Sequence, residues 1–531
     1  MSTTSTDPTA RRTSVKPTLN RRDLVRLAGA GTLLAGGLTT LPGLGVASAT
    51  VQDGEVILNI RNRGEIVNLD PHLGSGNPDA TIGENIYSKL VRTSPEAPLD
   101  PLPDLATDWQ VSADGLEYRF NLRQGAQWHK GYGEVTADDV VWTYTRVRDP
   151  ELGSRSTAEF AGVSDVVAEG PYTVIIRLKQ ADPTFLYSVL ARVGTIGNQR
   201  AIEEKGEGYS SDPVGCGPYL FEEWVRGEQA VVAKFPDHWL HTGNVDRVVF
   251  KFLTDDTVAE LSLRSGDLDM AYLETPEGQL AVLDNPDLEA IEQPAPRTHM
   301  LWMTMKEGTP LADPNVRRAL AIGIDRGAIA EQALSGMASA AHSVYNQTMP
   351  GHDETEFFAY DPEGARQLLA EAGFGDGFDL EILGYNEGIS PDLMTVAAAQ
   401  WEEIGVRVTV TILERALLYE RWRNRDFEMI EQPVARDTPE QIVYPYFTEA
   451  GAPYPNSALY TGIEELATSL RSEANPDERL RLIQAIQAKL VEDVAVIPTV
   501  NPKLVLAMRP DIDPFTLSIW YYPLWLVTVN Q

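Results

Sequence analysis

Short apolar strands alternate with capped helices from about residue 55 onward, and this alternation constrains the fold more than any other feature of the chain. VILNI (56–60), YRFNL (118–122), YTVIIRL (172–178) and RVVFKF (247–252) read as strands. Between such runs lie helix starts. Thr136 precedes VVWTYTRV with Asp139 three residues on, a hydroxyl cap with a carboxylate in the capping-box position. Asp361-Pro362-Glu363 opens GARQLLAEAGF with a cap, a proline at the first helical position and an acid in the first turn. Ala365, Leu368, Leu369 and Ala372 then share one face, and Gly373 ends the helix. Asp313-Pro314 and Pro476-Asp477-Glu478 open two further helices in the same way. WEEIGVRVTV (401–410) reads as a helix end, a break at Gly405 and a strand. Asp114-Gly115 forms the turn of a hairpin in SADGLEYRFNLR. Helices and strands mixed throughout predict an α/β or α+β layered fold rather than a bundle or a sandwich. At 531 residues the chain has room for two or three lobes.

The first fifty residues read as an address. Residues 1–26 are polar and basic, and NRRDLVR (20–26) resembles a twin-arginine export signal, which moves folded proteins. An uncharged run, Leu27–Ala49, follows and ends in Ala47-Ser48-Ala49, an A-x-A cleavage pattern. Its glycines, its proline and this small-residue site favour a removed signal over a permanent anchor. An uncleaved signal would instead hold the protein on the outer face of the cytoplasmic membrane. No later segment reaches about 18 uncharged apolar residues, so the expectation is an exported, water-soluble, periplasmic protein.

Charge and cysteine usage narrow the function further. The chain has 44 Lys+Arg against 77 Asp+Glu, a net charge of −33. Residues 1–49 hold 6 bases and 2 acids, so the remainder carries −37. Such a field repels nucleic acid and favours solubility. A weaker functional reading is that it attracts cationic or zwitterionic ligands. Cys216 is the only cysteine, so disulfides within the chain are excluded, and so is lipid attachment to a cysteine following the signal.

No catalytic motif stands out. The sequence has no G-x-S-x-G, no G-x-x-x-x-G-K-[ST], no H-E-x-x-H and no C-x-x-C. Among seven histidines, only His238 and His241 in PDHWLHTGN have ligand-like spacing. A metal site needs three or four ligands, so these two read as surface residues of a polar turn. Cys216 has no neighbouring base to activate it. The expectation is no enzyme, no metal and no cofactor, with an exported hydrolase as a remote alternative.

Seven stretches then carry a resemblance. They are LDPHLGSGNPDATIGENIYSKLV (69–91), the 101–150 segment beginning PLPDLATDWQ, DPVGCGPYLFEEW (212–224), LRSGDLDMAYLET (263–275), DPNVRRALAIGIDR (313–326), YDPEGARQLLAEAGF (360–374) and AKLVEDVAVIP (488–498). In this order they resemble the extracellular solute-binding proteins, family 5 type, which serve ATP-driven importers of dipeptides, oligopeptides, nickel and related solutes. The resemblance spans about 51 to 531. It implies an α/β, two-lobed periplasmic-binding-protein clamp with an extra inserted subdomain in the first lobe. Residues 51–85, 206–293 and 497–531 would form the first lobe, 86–205 the insertion and 294–496 the second lobe. The chain would cross near Gln293-Pro294-Ala295 and near Ile497-Pro498, giving a two-strand hinge that closes on ligand. The implied partners are a short peptide or peptide-like amine and an ABC importer permease, with the receptor a monomer. A metal chelate, an oligosaccharide or another polar solute is the alternative within the family.

The same resemblance nominates ligand contacts. In FEMIEQPVARDTPEQI (427–442), Asp437 falls where the peptide binders place the aspartate that pairs with the ligand's α-ammonium. A buried ammonium requires such a carboxylate to offset its desolvation. Pro433-Val434 replace the family's Gly-Trp pair, and proline offers no N–H for strand-type pairing with a peptide. Arg436 either holds a ligand carboxylate or neutralises Asp437. Ser75, Gly76 and Asn77 match the first-lobe loop that faces ligand. Trp302 and Tyr385 are candidate aromatic walls, with core packing the competing reading. Cys216 stands where the family's Gly-Thr-Gly-Pro-Tyr turn has threonine, and its flanking glycines are read as requirements of a tight turn.

Overall fold

The computed structural model describes residues 54–74, 76–94, 100–386, 388–436, 438–449, 458–517 and 522–530. Residues 1–49, read from the sequence as an export signal, together with Ser75 and Asp437, lie outside the described residues. The chain divides between Asp53 and Gly54, and all described residues belong to the second unit.

The capping chemistry read from the sequence is in place. Asp139 accepts the Thr136 N–H at 2.8 Å ahead of the helix Ala137–Arg148. Asp361, Asp313 and Asn475 accept backbone N–H groups at the starts of Pro362–Glu371, Pro314–Ile322 and Pro476–Glu492. Gly405, at φ +93°, separates the helix Ser390–Glu403 from the strand Val406–Leu413. Gly115, at φ +69°, turns the hairpin between Ala106–Val111 and Glu117–Leu122.

Twelve strands join in one extended sheet. Val496–Met508 is the strand that links its two halves. Through residues 496–500 it pairs with Arg297–Met303, which continues the sheet to Met429–Ala435, Phe378–Tyr385 and Val406–Leu413. Through residues 503–508 it pairs with Glu289–Pro294 and Met270–Leu273, leading to Ile57–Asn62, Arg247–Phe252, Gln229–Lys234 and Tyr219–Val225. The strand therefore changes partners at Pro502–Lys503. Ile497 and Val500 are apolar and pack under Leu301 and Leu320, which keeps this part of the strand with the Arg297–Met303 side. Leu504 and Leu506 pack with Leu58 and Phe250 on the other side.

Each half has its own core, and the cores follow strand periodicity. Along Arg297–Met303, Leu301 and Met303 enter one cluster while Met300 and Trp302 enter another on the opposite face. A strand covered on both faces needs this unbroken apolar run. A separate four-stranded antiparallel sheet runs Ala106–Val111, Glu117–Leu122, Thr173–Leu178, Val163–Ala168. Tyr118, Phe120 and Ile176 from it pack with Val140 and Tyr144 of Ala137–Arg148, and Cys216 closes the same cluster.

Two local expectations are corrected. His238 is buried and His241 half-buried, not surface residues, because the PDHWLHTGN turn folds under the Cys216 turn. The His238 ring contacts Ser88 Oγ at 3.3 Å, and His241 Nε2 contacts the Phe235 carbonyl at 3.0 Å. The glycines beside Cys216 are also required for a different reason. Neither has positive φ; a Cβ on Gly215 would stand 2.0 Å from the Ile86 carbonyl oxygen, and one on Gly217 2.6 Å from the Ile86 carbonyl carbon.

Candidate ligand-binding cleft

The two chain crossings lie side by side. Pro294 pairs with Lys503, and the Ala295 N–H donates to the Pro502 carbonyl at 2.9 Å. Beside them opens a cavity of about 140 Å³. Glu274 and Gln279 line it from the Met270–Leu273 side, Arg297 and Lys503 from the crossing strands, and His299 and Tyr385 from the far side. Arg415, at the start of the helix Arg415–Arg423, closes its rim.

Each wall is held from behind. Asp256 accepts the N–H groups of Glu274 and Thr275 at 2.6 and 2.7 Å, and Arg61 pairs with the same carboxylate at 2.7 Å. Arg61 and Asp256 are both buried, so this ion pair fixes the strand end that carries Glu274. The Glu274 carboxylate bridges Arg63 and Arg297, the latter at 3.0 Å. Desolvation pushes the Glu274 carboxyl up, but the two guanidinium groups override it and hold it down at about 2. Gln279 Nε2 donates to the Leu273 and Lys503 carbonyls, both at 3.0 Å, tying the wall to the crossing strand.

On the opposite wall, His299 Nδ1 lies 2.7 Å from Glu431 Oε1, and Ser390 Oγ donates to the other oxygen of Glu431. Register explains the contact: His299 faces Pro433 across the antiparallel pair, so Glu431 is its diagonal neighbour on the same face. Ser390 begins the helix Ser390–Glu403, which covers that face. The Tyr385 ring stands under the Arg415 guanidinium, 4.6 Å from its centroid. Burial and Glu431 push the Tyr385 hydroxyl up while Arg415 and Arg297 pull it down, and it remains a neutral phenol.

Tyr187, from the segment 185–190, meets Arg479 of Pro476–Glu492, which pairs with the buried Glu440. Burial and then Glu440 raise the Tyr187 hydroxyl, and Arg479 lowers it.

Of the residues nominated from sequence, Tyr385 lines the cavity at the crossing. Trp302 does not: it is fully buried, donates from Nε1 to the Gln432 carbonyl at 3.1 Å, and packs against Trp422, Tyr446 and Phe447. Val434 is buried in the same cluster. Arg436 is half-buried, with Nη2 donating to the Tyr446 hydroxyl at 3.1 Å. Gly76 and Asn77 are exposed at the start of the helix Asn77–Ile86, and Gly76 borders a different cavity of about 150 Å³ with Asp70, Asp79 and Glu84. Sequence reading missed Glu274, Arg297, His299, Arg415 and Glu431. One signal was available for Glu431, since it sits on the apolar face of a strand between Met429 and Pro433. Among the described residues, no group of three or more His, Cys, Asp or Glu could hold a metal ion. No helix among them is long and apolar enough to cross a membrane.

Two α/β halves joined by paired crossing strands, with a polar cavity at the junction, define a two-lobed solute-binding clamp. Residues 100–456 match the model of the bacterial extracellular solute-binding proteins, family 5 (Middle), and the chain belongs to this family. It is 26% identical over 508 residues to di/tripeptide-binding protein 2 of Pseudomonas aeruginosa, covering 89% of this chain and 94% of that protein. It is 27% identical over 471 residues to the glutathione-binding protein GsiB of Salmonella paratyphi A, covering 86% and 90%. The ABC transporter substrate binding protein CtaP of Listeria monocytogenes superposes with a TM-score of 0.81 at 22% identity, covering 90% of this chain and all of that one. These matches agree with the two-lobed α/β clamp expected from the sequence.

Proposed function

We propose that this protein is an exported receptor that captures a short peptide or peptide-like amine between its lobes and delivers it to an ABC importer permease. The observation that carries the reading is the near full-length similarity to a di/tripeptide-binding and a glutathione-binding protein. The cleft supports it, since polar and charged side chains from both sides converge on one cavity at the crossing strands. A ligand touching both walls stabilises closure through its differential affinity for the closed state.

In this reading, residues 1–49 act as a twin-arginine export signal and the receptor works as a periplasmic monomer. The first lobe comprises 51–85, 206–293 and 497–531, with 86–205 inserted and 294–496 as the second lobe. The separate hydrophobic cores on the two sides of Pro502–Lys503 support this division. Asp437 receives the ligand's ammonium group, with Arg436 adjacent, and Ser75, Gly76 and Asn77 approach from the first lobe.

A thermal-shift screen of the mature protein with di- and tripeptides, glutathione, metal chelates and oligosaccharides tests the reading. A true ligand at 100 times its dissociation constant adds about 2.7 kcal/mol of stability. Stabilisation by another class with none by any peptide would reject the peptide assignment. Asp437→Asn should weaken peptide binding, and unchanged affinity removes Asp437 from the site.

A further inference from the structure

Four of the seven histidines lie along one internal boundary. On one side is the core around the four-stranded sheet, with Tyr144, Ile196 and Cys216. On the other is the core of Leu58, Tyr87 and Phe250. His72, His129 and His238 are buried between them, and half-buried His241 stands behind His238 with ring centroids 6.1 Å apart.

Each bridging ring is committed as a neutral imidazole. His72 Nε2 donates to the Thr195 carbonyl at 3.0 Å, and its Nδ1 accepts from Arg146 Nη1 at 2.6 Å. Arg146 also grips Asp70 through two bonds, at 2.9 and 2.8 Å, which holds the guanidinium against the ring. His129 Nε2 donates to the Gly217 carbonyl at 2.9 Å, and its backbone N–H donates to the Gly215 carbonyl at 2.8 Å. Its buried Nδ1 has no hydrogen-bond partner among the described residues. His238 Nδ1 accepts the Leu240 N–H at 3.3 Å, so its Nε2 carries the proton and donates to Ser88 Oγ at 3.3 Å. Ser88 in turn donates to the Cys216 carbonyl at 3.4 Å.

A second proton on any of these rings would sit on Nδ1. There it meets the Arg146 guanidinium, a buried site without an acceptor, or the Leu240 N–H. A buried cation without an acceptor is costly, and opening the boundary to water removes that cost. The charges facing the rings are mostly positive: Lys130 beside His129, Arg123 beside His238 and Lys234 beside His241. Asp70 and Asp246 oppose them at His72 and His241, and Asp70 is already held by Arg146.

Burial accordingly pulls the His72 and His129 imidazoles down to about 4 and His238 to about 2, from an ordinary 6.5. Rings exposed by an opened boundary take up protons near 6.5. Acid therefore favours the open form increasingly as pH falls below that value. Near Cys216, burial pushes the Asp104 carboxyl up to about 6 against Lys89 and Arg92, and it raises Asp139 as well. A raised carboxyl acts in the opposite sense, so Asp104 and Asp139 offset part of the imidazole effect.

We propose that this boundary is an acid-sensitive joint, in which proton uptake by the buried imidazoles parts the two cores while the half of the sheet built on Arg297–Met303 stays folded. Asp70 and Gly76 border one cavity, so opening would reach the loop nominated from the sequence as facing ligand. The joint is independent of which solute the protein binds.

The experiment is hydrogen exchange read by mass spectrometry on the purified protein, with rates corrected for the intrinsic effect of pH. Peptides covering 67–74, 126–136, 212–219 and 235–242 report the joint, and peptides covering 297–303 and 380–385 report the other half. Between about pH 6.5 and pH 4.5 the joint peptides should lose about tenfold or more of their protection while the others keep theirs. Protection in the joint that holds at pH 4.5 overturns the proposal, and so does loss of protection throughout the chain at one pH. His129→Gln and His238→Gln each keep a side-chain N–H donor but cannot take up a proton. Each should move the midpoint of the loss to lower pH by about half a unit or more. Midpoints unmoved in both variants overturn the role of the imidazoles. If either variant fails to fold by circular dichroism at neutral pH, the other variant and the wild-type pattern decide.

Discussion

The Ala295 N–H donates to the Pro502 carbonyl at 2.9 Å, which binds together the two places where the chain passes from one half of the sheet to the other. Pro294 and Pro502 flank this bond and have no N–H of their own.

Replacing Ala295 by proline removes that donor and leaves the Pro502 carbonyl without it. The expected loss is about 1–3 kcal/mol of unfolding free energy, read from urea denaturation. Stability within error of the wild type would mean that the bond contributes nothing at the crossing.

The Arg61–Asp256 pair gives a larger effect. Asp256 both neutralises a fully buried guanidinium and accepts the Glu274 and Thr275 N–H groups. Asp256→Ala leaves Arg61 uncompensated and should cost about 3–5 kcal/mol. The same variant should weaken binding of any ligand that uses the Glu274 wall. A loss below about 1 kcal/mol would show that water replaces the carboxylate.

Glu274 sets an acid limb. Its folded carboxyl is held at about 2, below its ordinary value of 4.5. A depressed folded value contributes stability that is present above the unfolded value and lost as pH falls from about 4.5 to 2. Glu274→Gln should therefore flatten the fall in urea midpoint between pH 5 and pH 3 relative to wild type. Its side chain is 40% exposed, so the flattening is modest. Parallel pH profiles for the two proteins would rule out this contribution.

Cys216 should be chemically silent in the folded protein. Burial pushes its thiol far up, with Asp104 and Asp139 adding to the shift, and the residue is 0% exposed. A thiol reagent should react with the native protein only at the rate of unfolding, and fully in concentrated urea. Gly215→Ala, whose Cβ would meet the Ile86 carbonyl, should cost about 1–3 kcal/mol. Rapid labelling of the native thiol would contradict the packing of this turn.

The sequence alone determined the local structure and, through it, the fold class. Asp361-Pro362, Thr136 with Asp139, Asp114-Gly115 and the break at Gly405 act through neighbours within four residues, so their outcome is written in the order of the chain. The ordered set of seven stretches carried the family in the same way. Only tertiary structure decided the cleft. His299 and Glu431 are 132 residues apart and meet because antiparallel register makes them diagonal neighbours. Glu274 reaches Arg297 because the strands Met270–Leu273 and Arg297–Met303 both pair with Val496–Met508. Trp302 and Tyr385 looked alike as aromatic candidates, yet one is sealed by Trp422 and Tyr446 while the other faces the cavity. Which face of a strand meets a helix and which meets a cavity depends on partners far away in sequence, and local propensity carries no record of them.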